Sequence, residues 1–149
     1  IRKRKNMDFY GISYTVYQEK ETNELKVRTW LDAPDMGYTH THCMRELMKL
    51  EHRPVANGVL LYDKTTDCWI PIFETSLCEN RPESMRRRHI DVACQEVERC
   101  VGNDERIKNH LGALWEEKMV LEEKRCIAKN MPAEAMRIHI QNMRSNRYF

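Results

Sequence analysis

The spacing of apolar residues changes once along this chain, near residue 80, and that change restricts what it can fold into. Before it, apolar side chains alternate in short runs; after it, they recur every three or four residues to the end. A period of two belongs to strands and a period of 3.6 to helices. The pattern therefore describes an α+β body, a small antiparallel four-stranded sheet in the order ββαββ followed by three C-terminal α-helices.

In the first half, Tyr10, Ile12, Tyr14 and Val16 alternate with Gly11, Ser13, Thr15 and Tyr17, which predicts a half-buried strand. The polar stretch Glu19 to Glu24 leads to Leu25, Val27, Thr29 and Leu31, alternating with Lys26, Arg28 and Trp30, so the two runs form a hairpin. Asp32 to Gly37 is a turn by composition. Thr39 or Thr41 is placed to cap a helix whose Met44, Leu47 and Met48 share a face, with Arg53-Pro54 as its stop. Asn57-Gly58 reads as a turn into a buried strand, Val59 to Tyr62. Cys68 to Phe73 is the last strand, at a sheet edge or a bulge because Pro71 cannot donate to a ladder.

The second half opens at Pro82 with a helix bearing one stripe, Ile90, Ala93, Cys94, Val97, Cys100 and Val101, ended by Gly102. The next helix starts at Asn103 or Asp104 and has two apolar edges. Ile107, Leu111, Leu114 and Leu121 form one, and Trp115, Met119 and Cys126 the other. Two edges need two partners, within the chain or on another. Pro132 opens a short final helix carrying Met136, Ile140 and Met143. Residues 1–7 read as a flexible basic opening, 8–79 as the sheet unit, and 80–149 as a helical unit packed on the sheet or extending from it.

At 149 residues the chain buries roughly two thirds of its unfolded surface without covalent staples. Its formal charge of +2 gives no global attraction to nucleic acid or anionic lipid, so any such contact is local. Two basic runs qualify: Arg2 to Lys5, and Arg86, Arg87, Arg88 and His89 at a helix start. The six cysteines are scattered without a disulfide framework and read as free thiols, which implies an intracellular reducing compartment such as cytoplasm, nucleus or organelle matrix. No apolar leader and no apolar run of about 18 residues is present, so the reading includes no membrane partner. The opening at Ile1 reads as a fragment or a processed product.

Chemistry-bearing groupings are few. His40, His42 and Cys43 supply zinc-type ligands, but no second ligand pair accompanies them, so they read as a loop leading into a helix. His40, His42, Asp63 and Glu74 would serve a metal-dependent hydrolase or nuclease if they converged. Lys26, Arg28 and Trp30 share one strand face and, with Arg86, Arg87 and Arg88, are the candidate RNA contacts. That face could equally lie under the C-terminal helices. Trp115, Met119, Leu121 and Cys126 are the candidate partner contacts.

No nucleotide loop or nucleophile turn occurs, and the reading requires no cofactor. The expected function is non-enzymatic: a subunit or adapter of a larger intracellular assembly, a ribonucleoprotein among the kinds that fit, meeting other proteins or itself through its helical half. The alternatives are an RNA-binding module and a metal-dependent hydrolase.

Overall fold

A computed structural model describes residues 9–34 and 37–145. The basic opening Arg2 to Lys5 and the end Arg147, Tyr148 and Phe149 lie outside the described residues, as do Asp35 and Met36 of the expected turn. The chain forms β1 (Ile12–Gln18), β2 (Leu25–Leu31), α1 (His40–Lys49), β3 (Arg53–Asp63), β4 (Cys68–Ser76), α2 (Glu83–Val101), α3 (Glu105–Ala128) and α4 (Ala133–Arg144). The four strands make one antiparallel sheet ordered β2-β1-β3-β4. The expected α+β class and element order are therefore what the chain adopts.

The sheet is covered on both faces. Ile12, Tyr14 and Val16 are buried, as the alternation requires, while Tyr10, expected with them, precedes β1 and is 59% exposed; Ser13 and Thr15 on the opposite face are buried too. A strand expected to be half-buried is thus enclosed, because α1 lies over its polar side. There the Thr15 hydroxyl donates to Asn57 Oδ1 at 2.7 Å, and the Asn57 amide points at Met44 Sδ of α1, 3.6 Å away. Burial of these polar groups is tolerated because they bond each other. The α1 stripe is Cys43 and Leu47, both buried, with Met44; Met48, placed with them by spacing, is 64% exposed. Thr39 caps this helix, its hydroxyl accepting from the His42 amide.

One expected turn is absent. Asn57-Gly58 lies in the middle of β3, paired on both sides, with Gly58 opposite Tyr14 and Glu74. An Asn-Gly hairpin turn needs positive φ at both residues, and neither has it. Glycine serves another purpose: a Cβ at position 58 would lie 2.3 Å from the Tyr14 ring. The missing side chain is what lets the end of that ring approach β3 so closely. The chain reverses earlier, at Glu51, whose φ is 63°.

Both strand prolines accompany ladder irregularities. Pro54 pairs with Tyr17 next to a register shift, and Pro71 pairs with Leu60 next to another, on the edge strand β4. The edge-or-bulge expectation for Pro71 is met in both respects.

The helix α2 packs on β1, β2 and β4, and α3 lies along β3. Ile90, Ala93 and Val97 are the buried stripe of α2. In α3 the buried residues are Leu111, Gly112, Trp115, Met119 and Cys126. This stripe crosses the two edges drawn from sequence: Leu121 of one edge is 64% exposed, while the whole of the other edge is inside. The helix α4 runs back antiparallel on α3, with Glu122 meeting His139 and Glu116 meeting Arg144. Among the described residues no helix is long and apolar enough to cross a membrane.

Replacing Gly58 with Ala forces a methyl group into the Tyr14 ring, and overpacking of this kind costs about 2 kcal/mol. Urea unfolding of Gly58→Ala is expected to show a clearly lower midpoint with an unchanged slope. An unchanged midpoint would mean that the ring does not lie over Gly58.

A buried arginine-carboxylate cluster beside a basic cleft

Several charged side chains withdrawn from water meet where β4 leads into α2. The Glu74 side chain is only 1% exposed and that of Arg81 6%. Arg81 grips the carboxylate with both guanidinium nitrogens, at 2.6 and 2.7 Å, and Arg86 Nε adds a third bond at 3.4 Å. Such a fork-to-carboxylate pair is among the stronger hydrogen-bonded ion pairs. Arg81 Nη1 also lies 3.0 Å from His89 Nδ1. Because guanidinium can only donate, Nδ1 accepts, and the neutral imidazole carries its proton on Nε2.

Sequence places these groups together for a local reason. Residues 77 to 82 turn back over the β4 end, and Pro82 opens α2, so Arg81 and the first turn of the helix fall against Glu74. Burial, together with the nearby Arg81 and Arg88 charges, pushes His89 below the usual imidazole range. Burial raises the Tyr14 phenol, helped by Glu74, and pushes the Cys94 thiol up to about 12. The Tyr14 hydroxyl is buried without a hydrogen-bond partner.

Next to this cluster is an open cleft of about 450 Å³ lined by Arg53, Arg81, Arg88, His89, Asn23 and Asn80, among others. Arg53 and Arg88 make no ion pair with another described residue, whereas the only acid on the lining is Glu79. The three members of the basic run thus differ. Arg86 is engaged with Glu74 and Glu83, Arg87 approaches Glu83 at 3.7 Å, and Arg88 faces the cleft. Arg53 and Arg81 were not singled out from sequence. Their contribution depends on β3 and the β4-α2 connection meeting, which no local spacing announces.

The other sequence candidates are dispersed. Lys26, Arg28 and Trp30 do share a face, on which α1 and its leading loop meet Arg28 and Trp30 while Lys26 stays exposed. Arg28 is bonded to Glu46 at 2.8 Å, and Trp30 packs edge-on against Tyr38 and His40, at 4.9 and 5.0 Å between ring centres. His42 pairs with Glu46 at 3.1 Å while Cys43 is buried beneath α1, so His40, His42 and Cys43 do not share a ligand position. Among the described residues, metal-type ligands converge instead at Glu122, Cys126 and His139. Asp63 and Glu74 lie at opposite ends of the β3-β4 ladder, five residues or about 17 Å apart. Asp63 faces Arg144 and Glu74 faces Arg81, so they serve separate ion pairs. Trp115, Met119 and Cys126 are buried in the chain's own packing, which leaves Leu121 as the exposed member of that set.

Two expectations follow. Glu74→Gln leaves the buried Arg81 facing a neutral amide in place of its carboxylate and is expected to cost about 3–5 kcal/mol in chemical denaturation. The double variant Glu74→Leu with Arg81→Met should lose less than the sum of the single changes; simple additivity would show that the charges do not compensate each other. His89 supplies a pH dependence. Its pKa in the fold is below the unfolded value of about 6.5, so in that window the unfolded chain binds the extra proton. Stability should be complete above pH 6.5 and decline as pH falls towards the folded value. His89→Gln, which keeps an acceptor for Arg81, should flatten the slope, leaving the part due to His40, also lowered by burial. An unchanged slope would mean that His89 is not held neutral.

Comparison with family models, with curated proteins and with solved structures found no match.

Proposed function

We propose that this chain is a non-enzymatic subunit or adapter that docks on a protein partner through the outer side of its α3-α4 hairpin. The observation that supports this reading is an apolar row on α3 left outside the chain's own packing. Val120, Leu121 and Ile127 are 49%, 64% and 61% exposed, although Leu111, Trp115, Met119 and Cys126 of the same helix are buried. Ala113, Val120 and Ile127 recur every seven residues and therefore lie on one side of the helix. Ala113, Glu116, Glu117, Val120 and Leu121 line a shallow hollow there. An apolar centre with a charged rim is the composition of a docking patch. Ile138 of α4, 46% exposed, adds to the apolar surface of the hairpin.

A second reading has its own observation. The cleft bearing Arg53, Arg81 and Arg88 suits an anionic segment, either an acidic peptide or a nucleic-acid backbone. Phosphate contacts weaken steeply with salt, whereas apolar docking does not.

Light scattering over a range of concentrations and salt, together with affinity capture, tests the first reading. The wild-type chain is expected either to exceed its 17.9 kDa monomer mass or to retain a defined partner. Leu121→Glu should abolish that association by at least tenfold without altering the melting temperature, since the side chain is exposed. A wild-type monomer whose captured proteins are unaffected by Leu121→Glu would sink it. Nucleic acid retained at low salt and released at moderate salt would move the function to the cleft.

A further inference from the structure

Glu122 and Cys126 stand one turn apart on α3, and His139 of α4 meets them from across the hairpin. One ligand atom from each, a carboxylate oxygen, Sγ and a ring nitrogen, lies within 4.8 Å of the other two. His139 Nε2 and Glu122 Oε2 are 2.6 Å apart. Ligand atoms on a tetrahedral zinc ion, at about 2.0–2.3 Å from the metal, are roughly 3.3–3.8 Å from each other. Small rotations about side-chain bonds therefore bring these three onto one ion.

The donor types favour zinc. Thiolate, imidazole and carboxylate together match a borderline-soft ion, whereas calcium and magnesium take oxygen ligands. The group is also largely withdrawn from water: Cys126 is fully buried, and the Glu122 and His139 side chains are 16% and 22% exposed. Arg125 bonds the Glu122 carboxylate, which keeps it ionised and ready to ligate but places a competing positive charge beside it. A cavity of about 220 Å³ reaches the group at Glu122 and is lined also by Lys118, Trp115, Met143 and Ile70. Trp115 brings a buried indole Nε1 with no hydrogen-bond partner to this region.

We propose that Glu122, Cys126 and His139 form a three-ligand Zn²⁺ site that fastens α4 to α3, its fourth position taken by an exchangeable water from the adjoining cavity. The site sits where the hairpin needs it. No residue of α4 is fully buried, so apolar contact alone holds this helix weakly.

Titration of the reduced full-length chain with Co²⁺ tests the assignment. One equivalent is expected to give a thiolate-to-cobalt charge-transfer band with the intense visible bands of a tetrahedral ion, and Zn²⁺ should abolish both. Cys126→Ser and His139→Gln should each remove the charge-transfer band or weaken binding at least tenfold. Cys68→Ser and Cys100→Ser, at exposed thiols, should leave it intact. Zn²⁺ should raise the melting temperature of the wild type and not that of His139→Gln. If Cys126→Ser does not fold, His139→Gln decides. The proposal is overturned by the lack of a band and of a thermal shift at stoichiometric metal. It is equally overturned by a band that persists in His139→Gln or disappears with the exposed thiols.

Discussion

The arginine clamp on Glu74 determines where the second half of this chain lies. The carboxylate belongs to β4, its principal partner Arg81 to the connection, and Arg86 to the first turns of α2. A carboxylate so deeply enclosed must be matched, because an isolated buried charge costs several kcal/mol. Matching it fixes the start of α2 at the sheet edge. With that end in place, Ile90, Ala93 and Val97 fall on the sheet, and Trp69 Nε1 reaches Glu98 at 3.0 Å further along the helix. The Tyr14 ring fills the space between, lying on Gly58. Its hydroxyl is brought among charged groups without a bond of its own, so shape rather than hydrogen bonding keeps Tyr14 there.

The hairpin of α3 and α4 rests on a different balance. α4 contributes Ile140 and Met143, partly buried, to the core. Its remaining contacts are polar rungs: Arg144 reaches Glu116 at 2.8 and 2.9 Å and the buried Asp63 at 3.4 Å, and His139 reaches Glu122. The Asp63 contact matters most, since it fastens the last turn of α4 to the end of β3. Surface ion pairs contribute about 1 kcal/mol or less, but an arginine shared between an exposed and a fully buried carboxylate escapes part of that screening. The opposite side of α3 is thereby left for Val120, Leu121 and Ile127, which no element of the described chain covers.

Period was legible in the sequence because burial on one side repeats at the pitch of the element. That is why the strands β1 and β2 and the central stripe of α2, Ile90, Ala93 and Val97, were readable, while Tyr10 and Cys100, at the ends of their runs, are exposed. The Asn57-Gly58 error came from treating a dipeptide as a local turn when its glycine answers to a ring 44 residues away in sequence. The edges of α3 failed for a related reason. A 24-residue helix that leaves the sheet and meets α4 changes partners along its length, so its buried stripe follows Leu111, Trp115 and Met119 before reaching Cys126. No single wheel describes both segments.

Site residues were harder to see because each cluster joins residues far apart in sequence. Arg86 to Arg88 stood out as a run, yet their roles diverge around a helix: one is engaged by Glu74, and another faces a cleft completed by Arg53. Likewise His40, His42 and Cys43 are adjacent in sequence and separate in space. Adjacent helical positions point about 100° apart, whereas positions four apart align. Glu122 and Cys126 satisfy that spacing, and the antiparallel return of α4 supplies His139 opposite them. Ligand convergence in this chain is therefore a property of the hairpin. Its inner side gathers the polar and metal-type groups, and its outer side carries the uncovered apolar row.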